Sequence, residues 1–262
     1  MMYETILFEI RENVAYITLN RPDAANGVNI ALGRDLMHAA IRCSEDPQIR
    51  AVLLTGRGKM FCAGGDLRCF VDAGEEISNV VRETTFYCHN AASCFMRMNA
   101  PLVTAVNGAA AGVGMSFALS GDIIVAAESA FFAAAYTAVG LSPDGGMTYL
   151  LPRKIGLVRT KDLILNNRRL TAREALEWGL VNKVVPDDEL MKEAEDIVKR
   201  FAKGPTLAYG TVKKLLNETF SETLESQMEH ESRGITDMTK TKDGTEGIAA
   251  FLERKRPSFT GS

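Results

Sequence analysis

Apolar and polar positions along the chain switch repeatedly between a strand-like and a helical rhythm. Ile6-Leu7-Phe8-Glu9-Ile10 and Val14-Ala15-Tyr16-Ile17-Thr18-Leu19 are rich in β-branched and aromatic residues, and Arg11-Glu12-Asn13 between them predicts a hairpin. Asn20-Arg21-Pro22-Asp23 breaks the pattern. Ile30, Leu32, Leu36, Met37 and Ile41 recur at helical spacing, and Arg50-Ala51-Val52-Leu53-Leu54-Thr55-Gly56 follows, so a helix feeding a buried strand is expected. A long helix over 75–98, a strand at Leu102-Val103-Thr104-Ala105-Val106, a glycine-rich turn opening a helix, and a strand at Ile123-Ile124-Val125-Ala126-Ala127 repeat the alternation. Such an order predicts an α/β fold of crossovers that wind one way. From Thr171 onward helices dominate, at 171–177, 187–203, 205–220, 221–239 and 243–255, and Thr171-Ala172-Arg173-Glu174 has the spacing of a capping box.

Composition narrows the class. With 262 residues, 46% of them hydrophobic, the chain can bury a sizeable core. A net charge of -3 gives no diffuse attraction to phosphate backbones or anionic lipid, so neither nucleic acid nor membrane is an expected partner. The five cysteines contain no CxxC pair, which indicates neither a disulfide framework nor a metal site and fits a cytoplasmic location. The N-terminus shows no basic segment followed by an apolar one, so no secretory signal is expected. The uncharged stretch 98–121 is long enough to cross a bilayer, but Pro101, Asn107, Gly108, Gly112 and Gly114 interrupt it and favour a buried strand, loop and helix.

Two glycine-rich segments follow predicted strands. In Phe61-Cys62-Ala63-Gly64-Gly65-Asp66-Leu67 the consecutive glycines permit close backbone approach or positive φ and free the amides for a ligand, or else form a strand-to-helix turn capped by Asp66. In Asn107-Gly108-Ala109-Ala110-Ala111-Gly112-Val113-Gly114-Met115-Ser116 small residues open a helix whose free amides suit developing negative charge. Neither segment carries a P-loop ending or the third glycine of a dinucleotide fingerprint.

With Asn20-Arg21-Pro22, Trp178-Gly179-Leu180-Val181 and Phe251-Leu252-Glu253-Arg254-Lys255-Arg256, these segments resemble the crotonase (enoyl-CoA hydratase/isomerase) superfamily in order and approximate spacing over nearly the whole chain. The resemblance implies an α/β spiral of ββα turns over 1–200 that carries the coenzyme A site. It also implies a helical region at 201–262 that assembles a homotrimer or a dimer of trimers. The substrate implied is an acyl-CoA thioester, with no cofactor beyond its coenzyme A moiety. By position, the family's two oxyanion-hole amides fall on Gly65 and Val113. The CoA contacts fall on Ala24, Ala25 and Asn26 near the adenine, on Ala63, Asp66 and Leu67 along the pantetheine, and on Phe251 and Arg254 from a neighbouring subunit. Two preorganised N–H donors stabilise a thioester enolate, each worth on the order of 3 kcal/mol in a water-poor site.

The residues that would choose the reaction depart from the hydratases of the family, whose two glutamates fall at Ser116 and Tyr136 here. A serine or tyrosine is a poor general base at its ordinary pKa. Gly140-Leu141-Ser142-Pro143-Asp144-Gly145-Gly146 instead resembles the enoyl-CoA isomerase branch that includes the ring-epoxyphenylacetyl-CoA isomerases, which implies Asp144 as acid/base. An Asx-type turn at Asp144 is the structural alternative. Tyr136 reads as a pocket wall or hydrogen-bond donor. His89 and Asp144 also resemble the pair of the hydrolytic 4-chlorobenzoyl-CoA dehalogenases, whose tryptophan is replaced by Tyr136, although His89 also fits an ordinary helix face. An enoyl-CoA hydratase-type lyase and a non-catalytic acyl-CoA binder are the other readings.

Overall fold

A computed structural model describes residues 3–262. Its two sheets are built by a chain that visits them in turn. Strands β1 (Ile6–Arg11) and β2 (Val14–Leu19) form the predicted antiparallel hairpin, with Glu12 and Asn13 at positive φ in the turn. Helix α1 (Ile30–Glu45) leads into β3 (Ala51–Gly56), which pairs in parallel with β2. From there the spiral adds one strand to each sheet per turn. Strand β4 (Met60–Cys62) is followed by α2 (Leu67–Asp72), α3 (Ile77–Arg97) and β5 (Leu102–Val106). Next come β6 (Ala109–Ala111), α4 (Val113–Leu119), β7 (Ile123–Ala127), β8 (Phe131–Ala133), α5 (Met147–Leu165), β9 (Arg169–Thr171), α6 (Ala172–Glu177) and β10 (Lys183–Val185).

The larger sheet has the order β1-β2-β3-β5-β7-β10, and the smaller one β4-β6-β8-β9. Strands β3 and β5 are buried along their whole length, which explains runs that are apolar on both faces apart from Thr55 and Thr104. Helix α7 (Leu190–Ala202) packs across β2, β3, β5 and β7, while α1 and α3 pack on each other. The uncharged stretch 98–121 resolves into β5, β6 and α4, and among the described residues no helix is long and apolar enough to cross a membrane.

Helices α8 (Thr206–Glu218), α9 (Leu224–Met238) and α10 (Lys242–Leu252) complete the chain. The capping box at Thr171 and Glu174 forms as its spacing predicts. Strands β4, β6, β8 and β9 are three residues each, too short to display a period. Helix α5 shows no clean helical stripe because Pro152 lies inside it and Gly156, at φ 78°, breaks it in two.

Helix α8 is fastened to the spiral by one buried cation. Lys213, only 8% exposed, donates to the carbonyls of Phe95 (3.0 Å) and Ala100 (3.1 Å) and pairs with Asp122 at 2.8 Å. The Phe95 carbonyl lies in the last turn of α3, where a cation also meets the negative end of the helix dipole. Lys213→Met leaves the Asp122 carboxylate and two carbonyls short of a donor and is expected to lower the unfolding free energy by about 3 kcal/mol. The neighbouring Lys214 is exposed, and Lys214→Met is expected to change it by less than about 0.5 kcal/mol. Parallel denaturant titrations check the difference.

Candidate active site

Strands β4, β6 and β8 lie side by side in parallel, so the segments that leave them emerge at the same edge of the smaller sheet. Those segments carry Gly65, Val113 and Tyr136. Ligands of α/β proteins collect at the carboxyl ends of such strands. The first two segments touch through backbone alone. Gly64 (φ 101°) and Gly112 (φ 52°) hold conformations that favour glycine, and a methyl group on Gly112 would stand 3.3 Å from the Gly64 Cα. Behind them, a methyl group on Gly114 would lie 2.4 Å from the Cys62 carbonyl, so α4 sits directly on β4. Among the described residues, neither the Gly65 amide nor the Val113 amide has an acceptor. Both residues line a cavity of about 480 Å³ that also contains Asp144.

Asp144 is held from several sides. Tyr136 donates its hydroxyl to Asp144 Oδ1 in a very short hydrogen bond. Ser116, fully buried, donates Oγ to the Asp144 carbonyl at 3.0 Å, and the Met147 amide donates to the same carbonyl at 3.2 Å. Burial, and then the Asp144 charge beside it, push the Tyr136 hydroxyl well above its ordinary range, so it stays a neutral donor. Burial and the same carboxylate push the Cys88 thiol up as well, which leaves it an inert wall. Ser116 and Tyr136 are thus both donors to one aspartate.

The residues expected along the CoA also gather. Ala24 and Ala25 form a tight turn against the first glycine loop, because the Ala63 amide donates to the Ala25 carbonyl at 3.0 Å and the Val28 amide to the Gly64 carbonyl at 2.8 Å. Leu67 is exposed beside that loop. For two of these residues, expected to meet the CoA mainly through backbone, the side chain serves the fold. Asn26 is fully buried, its amide bonded to the carbonyls of Arg57, Met60 and Phe61, so its side chain braces the turn and is unavailable to an adenine. Asp66 caps α2 and pairs with Arg21 at 3.0 Å. Burial alone would raise this carboxyl, but the bonds from Arg21 and Cys69 outweigh it and hold it below the usual carboxylate range. Phe251, at the end of α10, and Arg254, just beyond it, are exposed and do not line this cavity.

His89 also departs from the hydrolytic expectation. It is exposed on α3, its Nε2 accepts the Gly145 amide at 3.1 Å, and it lines a separate cavity of about 460 Å³. Its lone pair faces backbone, where a water-activating base would need it free. Conversely, one wall of the Asp144 cavity goes unread in the sequence. Phe70 on α2 and the stripe Val81, Thr84, Thr85 and Cys88 on α3 form it. The stripe has helical spacing and offered the one signal that could have placed it.

Comparison with known proteins agrees with this geometry. The family model described as Enoyl-CoA hydratase/isomerase matches residues 9–262. A protein of Rhodobacter capsulatus named probable enoyl-CoA hydratase is 38% identical, covering 100% of both chains. The 1,2-epoxyphenylacetyl-CoA isomerase of Escherichia coli is 36% identical over 99% of this chain and 100% of its own. The crystal structure of a putative enoyl-CoA hydratase from Streptomyces coelicolor superposes with a TM-score of 0.94 at 30% identity, covering 100% of this chain and 96% of that one. By its sequence, its spiral and its two free amides, the chain belongs to the enoyl-CoA hydratase/isomerase family of the crotonase superfamily.

Proposed function

We propose that the protein is an enoyl-CoA isomerase that moves a double bond through a thioester dienolate. Asp144 takes a proton from C2 or C4 and returns it at the other end of the allylic system, while the Gly65 and Val113 amides hold the enolate oxygen. The observation that carries this reading is that Asp144 is the only carboxylate, among the described residues, lining the cavity. One carboxylate suffices for a proton shuttle. Hydration as the family performs it uses two, one on water and one on the α proton. The name of the Rhodobacter relative favours a hydratase-type lyase as the second reading. Hydrolysis through Asp144 and His89 is disfavoured because His89 is bonded to the Gly145 amide.

The thioester arm in this reading runs past Ala63 and Leu67, with Asp66 contributing backbone only. The adenine lies near Ala24, Ala25 and the backbone of Asn26. Exposed apolar residues on the last three helices, among them Leu224, Ile235, Phe251 and Leu252, support assembly as a homotrimer or dimer of trimers. In that assembly Phe251 and Arg254 reach the nucleotide bound by a neighbouring subunit.

Wild-type enzyme is expected to convert a 3-enoyl-CoA to the 2-enoyl-CoA faster than it hydrates the latter. Asp144→Ala is expected to lower isomerisation by on the order of 10³-fold, the usual worth of a positioned acid/base. Fast hydration of the 2-enoyl-CoA that survives Asp144→Ala would reject the reading. A second expectation concerns Tyr136. Because its neutral form is favoured by burial, its donation to Asp144 persists above the ordinary tyrosine pKa of 10.0, and kcat should show no alkaline loss from it. Tyr136→Phe removes the donor and is expected to lower kcat by about 10-fold, as a misaligned base does, in steady-state assays from neutral to alkaline pH.

A further inference from the structure

Asp144 sits in a segment that its own sequence cannot hold still. Gly140, Gly145 and Gly146 all take positive φ, at 73°, 63° and 82°, and no strand or helix lies between the short turn Thr137–Val139 and α5. Glycine at these positions permits the path and also leaves it free to wander. A base displaced by about 1 Å loses on the order of 10²-fold in rate, so something outside the segment must fix it.

Tyr136 fixes one carboxylate oxygen and Ser116 the carbonyl. His89 fixes the other side of the same residue, because the Gly145 amide donates to its Nε2 at 3.1 Å. Among the described residues this is the only hydrogen bond the His89 side chain makes, and His89 does not line the Asp144 cavity. We propose that His89 is a positioning residue of the reaction. By accepting the Gly145 N–H, opposite the Ser116 and Met147 donors on the carbonyl of the same peptide, it completes the hold on the plane of the Asp144–Gly145 peptide, and with it the direction in which the carboxylate enters the cavity. The inference rests on Asp144 being the acid/base.

The chemistry demanded at position 89 is an acceptor at the reach of Nε2. A glutamine Oε1 can supply that acceptor. A leucine cannot, although it keeps the bulk that walls the second cavity. An imidazole that instead activated water would be replaceable by neither. The position is exposed, so neither substitution is expected to threaten the fold, and melting midpoints should stay within about 2 °C of wild type.

The test compares full-length wild type, His89→Leu, His89→Gln, Asp144→Asn and the Asp144→Asn/His89→Leu double variant on one 3-enoyl-CoA. His89→Leu is expected to lower kcat by about 10-fold or more with KM within about twofold, because transition-state alignment is lost and ground-state binding is not. His89→Gln is expected to recover kcat to within about threefold of wild type. Adding His89→Leu to Asp144→Asn should cost less than about twofold further, since the group being positioned is already disabled. Wild-type kcat in His89→Leu would overturn the inference, and so would equal losses in His89→Leu and His89→Gln, which would mean that the ring itself reacts. Undiminished isomerisation by Asp144→Asn would remove the base and this inference together. Failure of the leucine and glutamine comparison alone would leave Asp144 standing.

Discussion

Two loop backbones pass each other in van der Waals contact at Gly64 and Gly112, and the site exists because nothing larger stands between them. Their closeness follows from parallel pairing of β4 and β6, which releases both loops at one edge of the smaller sheet. Positive φ at both glycines turns the next amides, of Gly65 and Val113, away from their own secondary structure. A side chain at either position would open the contact and separate the donors. Donors preorganised by the fold need no rearrangement when negative charge develops, which is where such a site derives most of its effect.

The same economy governs the charged part of the cavity. A single carboxylate enters an apolar pocket, and its neighbours are groups that burial keeps neutral. Tyr136 stays a protonated donor and Cys88 a protonated thiol, which leaves Asp144 the charged group among them. Ser116, fully buried, is bonded to the Asp144 carbonyl. In the proposed isomerisation, that one carboxylate moves the proton.

How much of this could be read from the residues depended on whether a feature leaves a local period. Strands β2, β5 and β7 appear at the expected bounds because each is a mostly apolar, β-branched-rich run of five or six residues. Strands β4, β6 and β8, which aim the site, are three residues long and carry no period at all. Gly65, Val113 and Asp144 were singled out by the resemblance to the family, since the glycine-rich segments and the lone aspartate by themselves also fit ordinary turns and caps. Whether Asn26 meets a ligand or braces a turn is decided by contacts with Arg57, Met60 and Phe61, 31 to 35 residues away, which no local pattern encodes. The same holds for His89, whose partner Gly145 lies 56 residues on.

The most direct test of the account is a crystal structure with an unreactive 3-enoyl-CoA analogue. The account predicts that the thioester oxygen accepts from both the Gly65 and Val113 amides. It also predicts an Asp144 oxygen about 3–3.5 Å from C2 and within reach of C4, on one face of the acyl chain, which is the distance of a productive encounter. A thioester oxygen bound elsewhere, or an ordered water held by Asp144 against C3, would contradict it.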